Sequence, residues 1–290
     1  MRSDDWHLDD WHLTEDLDDF LARGGEFLRS RPVPHIMQLT WTARLRTRGA
    51  AAYDAEGAVF GLLEEAGEVQ GAFYRLSPHR GLGLTPLTAE QADALAARLV
   101  ALGHSVPSVS ADERTAAVFA EAWQRHTGAA PRESVRLCLH RLGTLVPPEP
   151  YPAGRGRPVG ERDHEQLMGM CRGFAADVGE AVTIDAGTWA GTRFADKSYT
   201  FWETPGGTPV SMAGANPMVA GLVQVDPVYT PAHLRGRGYA GAVTVEVSRA
   251  ALAAGAEDVV LFTDAANPTS NALYRRLGYV PVIDWVVYDF

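Results

Sequence analysis

Residues 225–241 read VDPVYTPAHLRGRGYAG, and this stretch decides the fold. An apolar strand runs into a loop carrying Pro227 and Pro231, and the loop ends in Gly236, Gly238 and Gly241 where a helix, AGAVTVEVSRAALAAG over 240–255, begins. The first backbone N–H groups of a helix have no partner within it, and the positive end of the helix dipole points the same way, so such a turn binds phosphate. Gly236 and Gly238 lack the Cβ atoms that would hold an anion off the backbone, and Arg235 and Arg237 supply positive charge.

Downstream, EDVVLFTD reads as a short apolar strand, NPTSNALYRRLG as a helix closed by Gly278, and VPVIDWVVYDF as a last strand. Upstream, GERDHEQLMGMCRGFAADVG repeats Leu167, Met170, Cys171 and Phe174 at helical spacing, and SYTFWET and TPVSMAG are strands around the turn Pro205 to Gly207. Before them TLVPPEPYPAGRGRP, residues 144–158, is too rich in Pro and Gly to continue a helix or a central strand, so it is read as an interdomain linker. The expected domains are residues 1–145 and 146–290.

The first half follows a similar order. EDLDDFLARGGEFLRS is helical, AVFGLLEEAGEVQGAFYRL is a hairpin turning at Ala66 and Gly67, and Thr88 to Gln91 form a capping box opening the next helix. ERTAAVFAEAWQRHTG is another helix and SVRLCLHRL a closing strand. The repeat DDWHL at 4–8 and 9–13 reads as a solvated lead-in to the first helix. Each half carries a net charge of −5, with 15 basic against 20 acidic residues up to position 145 and 11 against 16 after it.

The whole chain has 290 residues, is 46% hydrophobic and carries a net charge of −10, which excludes wrapping of nucleic acid or an anionic membrane surface as a function class. Cys138 and Cys171 lie far apart with no zinc spacing, so neither a disulfide scaffold nor a metal site is expected. No run of about 18 apolar residues occurs and the N-terminus is acidic, which predicts a cytoplasmic protein without signal peptide or membrane span. All the basic residues but Lys197 are arginines, which reads as the codon usage of a GC-rich genome.

Gly236, Gly238 and Gly241 also spell the G-x-G-x-x-G of dinucleotide-binding folds, which would make the chain a nicotinamide-dependent oxidoreductase. That fingerprint needs a strand running tightly into the first glycine; here about ten residues intervene, and the roughly fifty residues after the loop are too few for a doubly wound sheet. The better match is to a different pattern. Arg235-Gly236-Arg237-Gly238-Tyr239-Ala240 resembles the Q/R-x-x-G-x-G/A signature of the GNAT family, the GCN5-related N-acetyltransferases. The resemblance extends through Asn267, Asn271, Tyr274, Gly278 and Tyr279 and covers residues 160–290, and the first half looks like the degenerate N-terminal half of tandem GNAT proteins. Ala232 and Leu234 depart from the family at loop positions often filled by Pro and a polar or aromatic residue.

The resemblance implies an α+β fold of two tandem GNAT-like domains, each a mostly antiparallel twisted sheet flanked by helices, with the second sheet splayed open for acetyl-CoA or another acyl-CoA as co-substrate. It implies that the backbone of Val228, Tyr229 and Thr230 pairs with the pantetheine arm. The amides of Gly236 to Gly241, with Arg235, Arg237, Tyr239 and Ala240, would then hold the pyrophosphate, and Asn267 and Ser270 would touch the arm from the other side. Tyr274 would protonate the leaving thiolate, as a general acid in place of an ordinary cleft aromatic, and a backbone N–H near Thr230 would polarise the carbonyl. For the general base the sequence offers Asp226, Glu203, Glu246 and His233 without choosing among them, and a water chain serves equally. Arg80-Gly81-Leu82-Gly83-Leu84-Thr85 nearly repeats the signature, but the following helix starts only at Thr88, so this half is expected to have lost its cofactor.

The expected activity is transfer of an acyl group, most simply acetyl, to a small-molecule or protein amine by a monomer or homodimer. The alternative is a non-catalytic acyl-CoA or metabolite sensor or interaction module. Asp177, Glu180 and Asp185 stand as possible attractors of a cationic amine, with solvent-facing charge as the plain alternative.

Overall fold

The computed structural model describes residues 10–55 and 57–290. Its chain divides into two compact units, one of the residues up to Cys138 together with Ile283–Phe290, the other Leu139–Val282.

In the first unit the order is β1 (Trp11–Thr14), α1 (Leu17–Ser30), α2 (Ile36–Arg48), β2 (Val59–Glu65), β3 (Glu68–Arg75), β4 (Leu82–Leu84), α3 (Ala89–Ala101), β5 (Ser108–Asp112), α4 (Glu113–Thr127) and β6 (Arg132–Leu142), the last ending in the second unit. Strands β1 to β4 pair antiparallel in sequence, β4 pairs parallel with β5, and β5 pairs with Trp285–Asp289 at the chain's end. The β2–β3 hairpin turns where expected, on Ala66 and Gly67 at φ 52° and 84°, the two left-handed residues that match the twist of the flanking strands.

The second unit repeats this order: β7 (Arg155–Pro158), α5 (His164–Asp177), β8 (Ser198–Glu203), β9 (Pro209–Ala215), β10 (Leu222–Tyr229), α6 (Tyr239–Ala253), β11 (Asp258–Asp264), α7 (Pro268–Arg276) and β12 (Tyr279–Asp289), whose end returns to the first unit. Strands β7 to β10 again pair antiparallel and β10 pairs parallel with β11. Both units are thus α+β, with seven helices among the described residues.

Each unit buries its own apolar faces. Phe73, Leu84, Leu95, Val109 and Phe119 belong to the core under α3 and α4, while Val223, Val225, Val243, Val259, Leu277 and Tyr279 belong to the one under α6. A further cluster packs α5 on the opposite side, through Cys171, Phe194, Tyr199, Phe201 and Met212.

The structure corrects three readings. Residues 11–14 are not a solvated lead-in: Trp11 is 1% exposed, and its strand pairs with β2. The first copy of that repeat, 4–8, lies outside the described residues. The end of the Pro- and Gly-rich linker forms β7, which pairs with β8. Such an edge position is where Pro158, which cannot donate, is tolerated. Finally, Leu82–Leu84, which the near-repeat of the signature would make part of a glycine loop, is strand.

Candidate cofactor and acyl-transfer site

Strands β10 and β11 pair only over Leu222–Gln224 with Asp258–Val260, although both run on, to Tyr229 and to Asp264. At the point of separation β10 bulges: Val225 stands opposite Ala215 and Val228 opposite Ala213, so one residue too many lies on β10. Asp226 and Pro227, joined by a cis peptide, occupy this step. Past it, Val228 and Tyr229 still pair with Ala213 and Met212 of β9, which leaves their other edge without a strand partner among the described residues. The Ser211 hydroxyl donates to the Tyr229 carbonyl (2.9 Å) and lies 2.8 Å from the buried Thr230 hydroxyl, fixing the end of the strand.

From Thr230 a short helical turn, Ala232–Leu234, leads to the glycines. Gly236 and Gly238 have φ of 77° and 81°, the left-handed conformation that side chains disfavour. Gly238 is the N-cap of α6 and has no side chain to cap it, and the first helical bond runs from the Ala242 N–H to the Gly238 carbonyl. The N–H groups of Tyr239, Ala240 and Gly241 are therefore left for an outside acceptor. A Cβ on Gly236 would meet nothing within 4 Å, so the concavity is open there. Arg237 is exposed, with one long contact to the His233 carbonyl (3.4 Å). Arg235 donates from Nε to the Thr230 carbonyl (2.9 Å) and from a terminal nitrogen to Asp177 at the end of α5.

The corresponding turn of the first unit is closed. Strand β4 is paired on both edges, through Tyr74↔Gly83 and Gly83↔Ser110, and no strand-free edge opens there. The Thr85 and Thr88 amides donate to the Ala72 carbonyl and to Gln91 Oε1, and the Leu87 and Gln91 amides to the Thr115 and Thr88 hydroxyls. Gly81, just before the strand, and Gly83, within it, are packing glycines: Cβ atoms there would sit 2.7 Å from the Ser108 carbonyl oxygen and 2.7 Å from the Tyr74 hydroxyl.

Helix α7 starts with Asn267 as N-cap, its Oδ1 accepting from the Ser270 N–H (3.1 Å), and Pro268 in the first turn. Both Asn267 and Ser270 are thus engaged in building the helix end they were expected to present. Asn271, one turn on, ties that end down: its Nδ2 donates to the Asn267 and Asp264 carbonyls (2.8 and 3.0 Å), and its Oδ1 accepts from the Thr263 hydroxyl (2.6 Å). Tyr274 faces the core of α6, 8% exposed and edge-on to Tyr279 at 6.0 Å. Its hydroxyl has no hydrogen-bond partner among the described residues. Burial, with smaller contributions from Tyr279 and Asp226, pushes its pKa well up, so the proton is retained.

The candidate carboxylates are all engaged. Asp226 Oδ2 accepts from Arg193 (2.6 Å) and from Lys197; Glu203 is buried and accepts from Arg157 (2.6 Å); Glu246 accepts from Arg249 (2.8 Å) and from Tyr151 (3.0 Å). His233 is exposed in the loop. The three acids read as attractors of a cation serve structure as well: Asp177 holds Arg235, Glu180 holds Arg193 (2.9 Å), and Asp185 caps the turn at Gly187 and Thr188. Burial pushes the Cys171 thiol up to about 11, which makes it inert, and Cys138 is also free and buried.

Two elements had escaped the sequence reading. Lys197, which in the sequence reads only as codon usage, has no exposed side-chain surface and ends on Asp226; its being the only lysine of the chain is the signal that marks it. Gly173, in the middle of α5, is the other, and its letter alone does not mark it: a Cβ there would stand 2.7 Å from Cζ of Tyr229, whereas one at Gly169 of the same helix would meet its nearest neighbour at 3.7 Å.

Residues 219–286 match the family described as FR47-like protein. Among solved structures, the chain is similar to a tandem GNAT protein from the clavulanic acid biosynthesis pathway, at 12% identity and a TM-score of 0.60 over 96% of this chain and 97% of that one. A GNAT-family acetyltransferase from Colwellia psychrerythraea matches at 10% identity and a TM-score of 0.58 over 97% and 99%, and a Drosophila protein at 12% and 0.62 over 97% and 99%. The chain has the tandem GNAT fold. No curated relative matches it in sequence. Within this GNAT fold, no group of three or more His, Cys, Asp or Glu among the described residues could hold a metal ion, and no helix among them is long and apolar enough to cross a membrane.

Proposed function

We propose that the chain is an acyl-CoA-dependent N-acyltransferase that moves acetyl from acetyl-CoA to a primary amine, of a small molecule or a protein, by direct attack. The observation that carries this reading is the contrast between the two strand-to-helix turns. In the second unit the Gly238 cap leaves helix amides unpaired beside a strand edge that β11 has vacated; in the first, Thr88, Gln91 and Thr115 consume the equivalent amides. An uncapped helix start with two left-handed glycines and an exposed arginine fits a pyrophosphate. Val228, Tyr229 and Thr230 would offer the arm a strand edge. Arg235 to Gly241 would hold the phosphates, and Asn267 and Ser270 would line the far side. The first domain, residues 1–145 on the sequence reading, is proposed to have lost its cofactor.

Acyl-CoA supplies a thioester whose carbonyl carbon accepts a nucleophile. The amine nitrogen bonds to that carbon, the C–S bond breaks, the sulfur takes the Tyr274 proton, the amine's surplus proton leaves to solvent, and solvent returns a proton to Tyr274. Water is taken as the route because Asp226, Glu203 and Glu246 are each neutralised in an ion pair with arginine or lysine and His233 is exposed in the loop. The same neutralisation favours a second reading, a sensor that binds acyl-CoA without turnover.

The test is isothermal titration of acetyl-CoA and CoA into the wild type and an Arg237→Glu/Gly238→Asp variant. One saturable site, abolished in the variant, is expected. Absence of binding overturns the acyltransferase and the sensor together, and two sites overturn the assignment of the first domain.

A further inference from the structure

Two cations converge on a residue of the bulge that makes β10 irregular. Asp226 lies within the bulge, between Val225 and Val228, at the step where pairing with β11 stops. Arg193 donates to its Oδ2 at 2.6 Å, and Lys197 donates to the same oxygen. Arg193 is itself fixed, held by Glu180 through bonds of 2.9 to 3.1 Å and lying 4.5 Å over the Phe194 ring and 5.6 Å over that of Phe174. Lys197, immediately before β8, has no exposed side-chain surface at all. From the β9 side the backbone closes in: a Cβ on Gly214 would lie 2.7 Å from the Asp226 carbonyl oxygen and 3.1 Å from Pro227 Cδ.

A fully buried ammonium is a poor choice for stability alone. Its desolvation costs several kcal/mol, and a buried ion pair is commonly matched or surpassed by apolar residues of the same volume. What such a pair can do that an apolar contact cannot is select one register among alternatives. Register is the issue at this step. Regular pairing of β10 with β11 beyond Gln224 would close the edge of Val228 and Tyr229, and the extra residue falls at the step where that pairing stops.

We infer that Lys197 and Arg193, acting through Asp226, are positioning residues that pin the β10 bulge and so keep the edge of Val228–Thr230 available to the acyl-CoA arm. They touch no reacting atom. The part that concerns acyl-CoA rests on the acyltransferase reading, whereas the pinning of the bulge does not.

The experiment compares wild type with Lys197→Met, Asp226→Asn and the double variant Lys197→Met/Asp226→Asn. Each is followed by thermal unfolding, CoA titration and amide hydrogen exchange at Val228 to Thr230. Each single variant leaves a half-satisfied cluster and is expected to lose both melting temperature and CoA affinity. The double variant, relieved of the mismatch, is expected to regain most of the melting temperature while CoA binding stays weaker by roughly ten-fold, the scale of one lost hydrogen bond to a charged group. Exchange at Val228 to Thr230 is expected to differ from wild type in the double variant. A double variant that recovers stability, wild-type CoA affinity and wild-type exchange would reduce the cluster to an ordinary ion pair and overturn the inference. If wild type binds no CoA, the acyltransferase reading fails, and the exchange comparison alone decides whether the bulge is pinned.

Discussion

Gly173 of α5 lies directly under the ring of Tyr229, so close that a Cβ there would stand 2.7 Å from the phenolic Cζ and 3.0 Å from Cε1. Helix α5 therefore rests on the last residue of β10, one position from Thr230, and any side chain at 173 must move either the helix or the ring.

Gly173→Ala is accordingly a test of whether this approach matters to the site. In an open helix, Ala for Gly stabilises by about 1 kcal/mol, but overpacking at a closed contact costs about 1–3 kcal/mol. We expect a net loss of up to about 2 kcal/mol in urea unfolding and weaker CoA binding, because Tyr229 must shift. A Gly173→Ala protein as stable as wild type with unchanged affinity would show that α5 and β10 are free to separate.

The near-signature of the first half offers a matching control. Gly81→Ala and Gly83→Ala should destabilise the protein, since the obstacles are the Ser108 backbone and the Tyr74 ring, and Thr88→Ala should cost about 1 kcal/mol through its lost cap. None should alter CoA affinity or stoichiometry in calorimetry. A change in either would mean that the first unit binds the cofactor after all.

The same pair of turns shows what could be read from the sequence. In the second half, helical periodicity, the Gly238 and Gly278 stops and the signature all speak for the same elements, and the structure has them at 239–253 and 268–276. Arg80 to Thr85 carries nearly the same letters, yet Gly81 and Gly83 are small for the sake of neighbouring strands rather than left-handed for a loop. Letters alone do not separate those two uses of glycine, because the obstacles, Ser108 and Tyr74, are remote in sequence. Strands β4 and β5, of three and five residues, are too short to show periodicity and exist by virtue of their partners. The Asp226 cluster was invisible for the same reason: Arg193 and Lys197 lie 33 and 29 positions away and meet it only through the sheet.

His140 gives the fold a pH dependence with a definite sign. The Thr263 hydroxyl spends its proton on Asn271 Oδ1, so His140 Nε2 is the donor to these two oxygens, at 3.1 and 3.2 Å, and the buried Nδ1 has no partner among the described residues for a second proton. Burial, against a smaller opposing effect of Asn271, lowers its pKa, and burial also lowers those of His35 and His104. The unfolded chain then binds more protons than the native one below about pH 6.5, so stability falls as pH falls through that value, by up to about 1.4 kcal/mol per pH unit for each proton. Asp163, held at about 2 by Arg157, contributes in a separate window, lost only as pH falls below the ordinary carboxylate range. Urea unfolding between pH 5 and pH 8 should show the first slope and His140→Gln should reduce it; an unchanged slope in the variant would remove His140 from the account.

Tyr274 carries the chemical step of the proposed reaction, and Tyr274→Phe separates the enzyme from the sensor. The ring packs against Tyr279 and the α6 core while the hydroxyl makes no bond among the described residues, so deleting the oxygen should leave the fold and CoA affinity near wild type. If the hydroxyl protonates the leaving thiolate, turnover with any accepted amine should fall by roughly 10²- to 10⁴-fold with KM for acyl-CoA unchanged. The raised pKa fixes the pH profile too: the acid form persists well above neutrality, so the wild-type rate should not decline on the alkaline side through loss of this proton until beyond the ordinary tyrosine range near 10. A variant that turns over as fast as wild type would remove Tyr274 from the mechanism, and CoA binding without turnover in the wild type, across an amine screen, would favour the sensor.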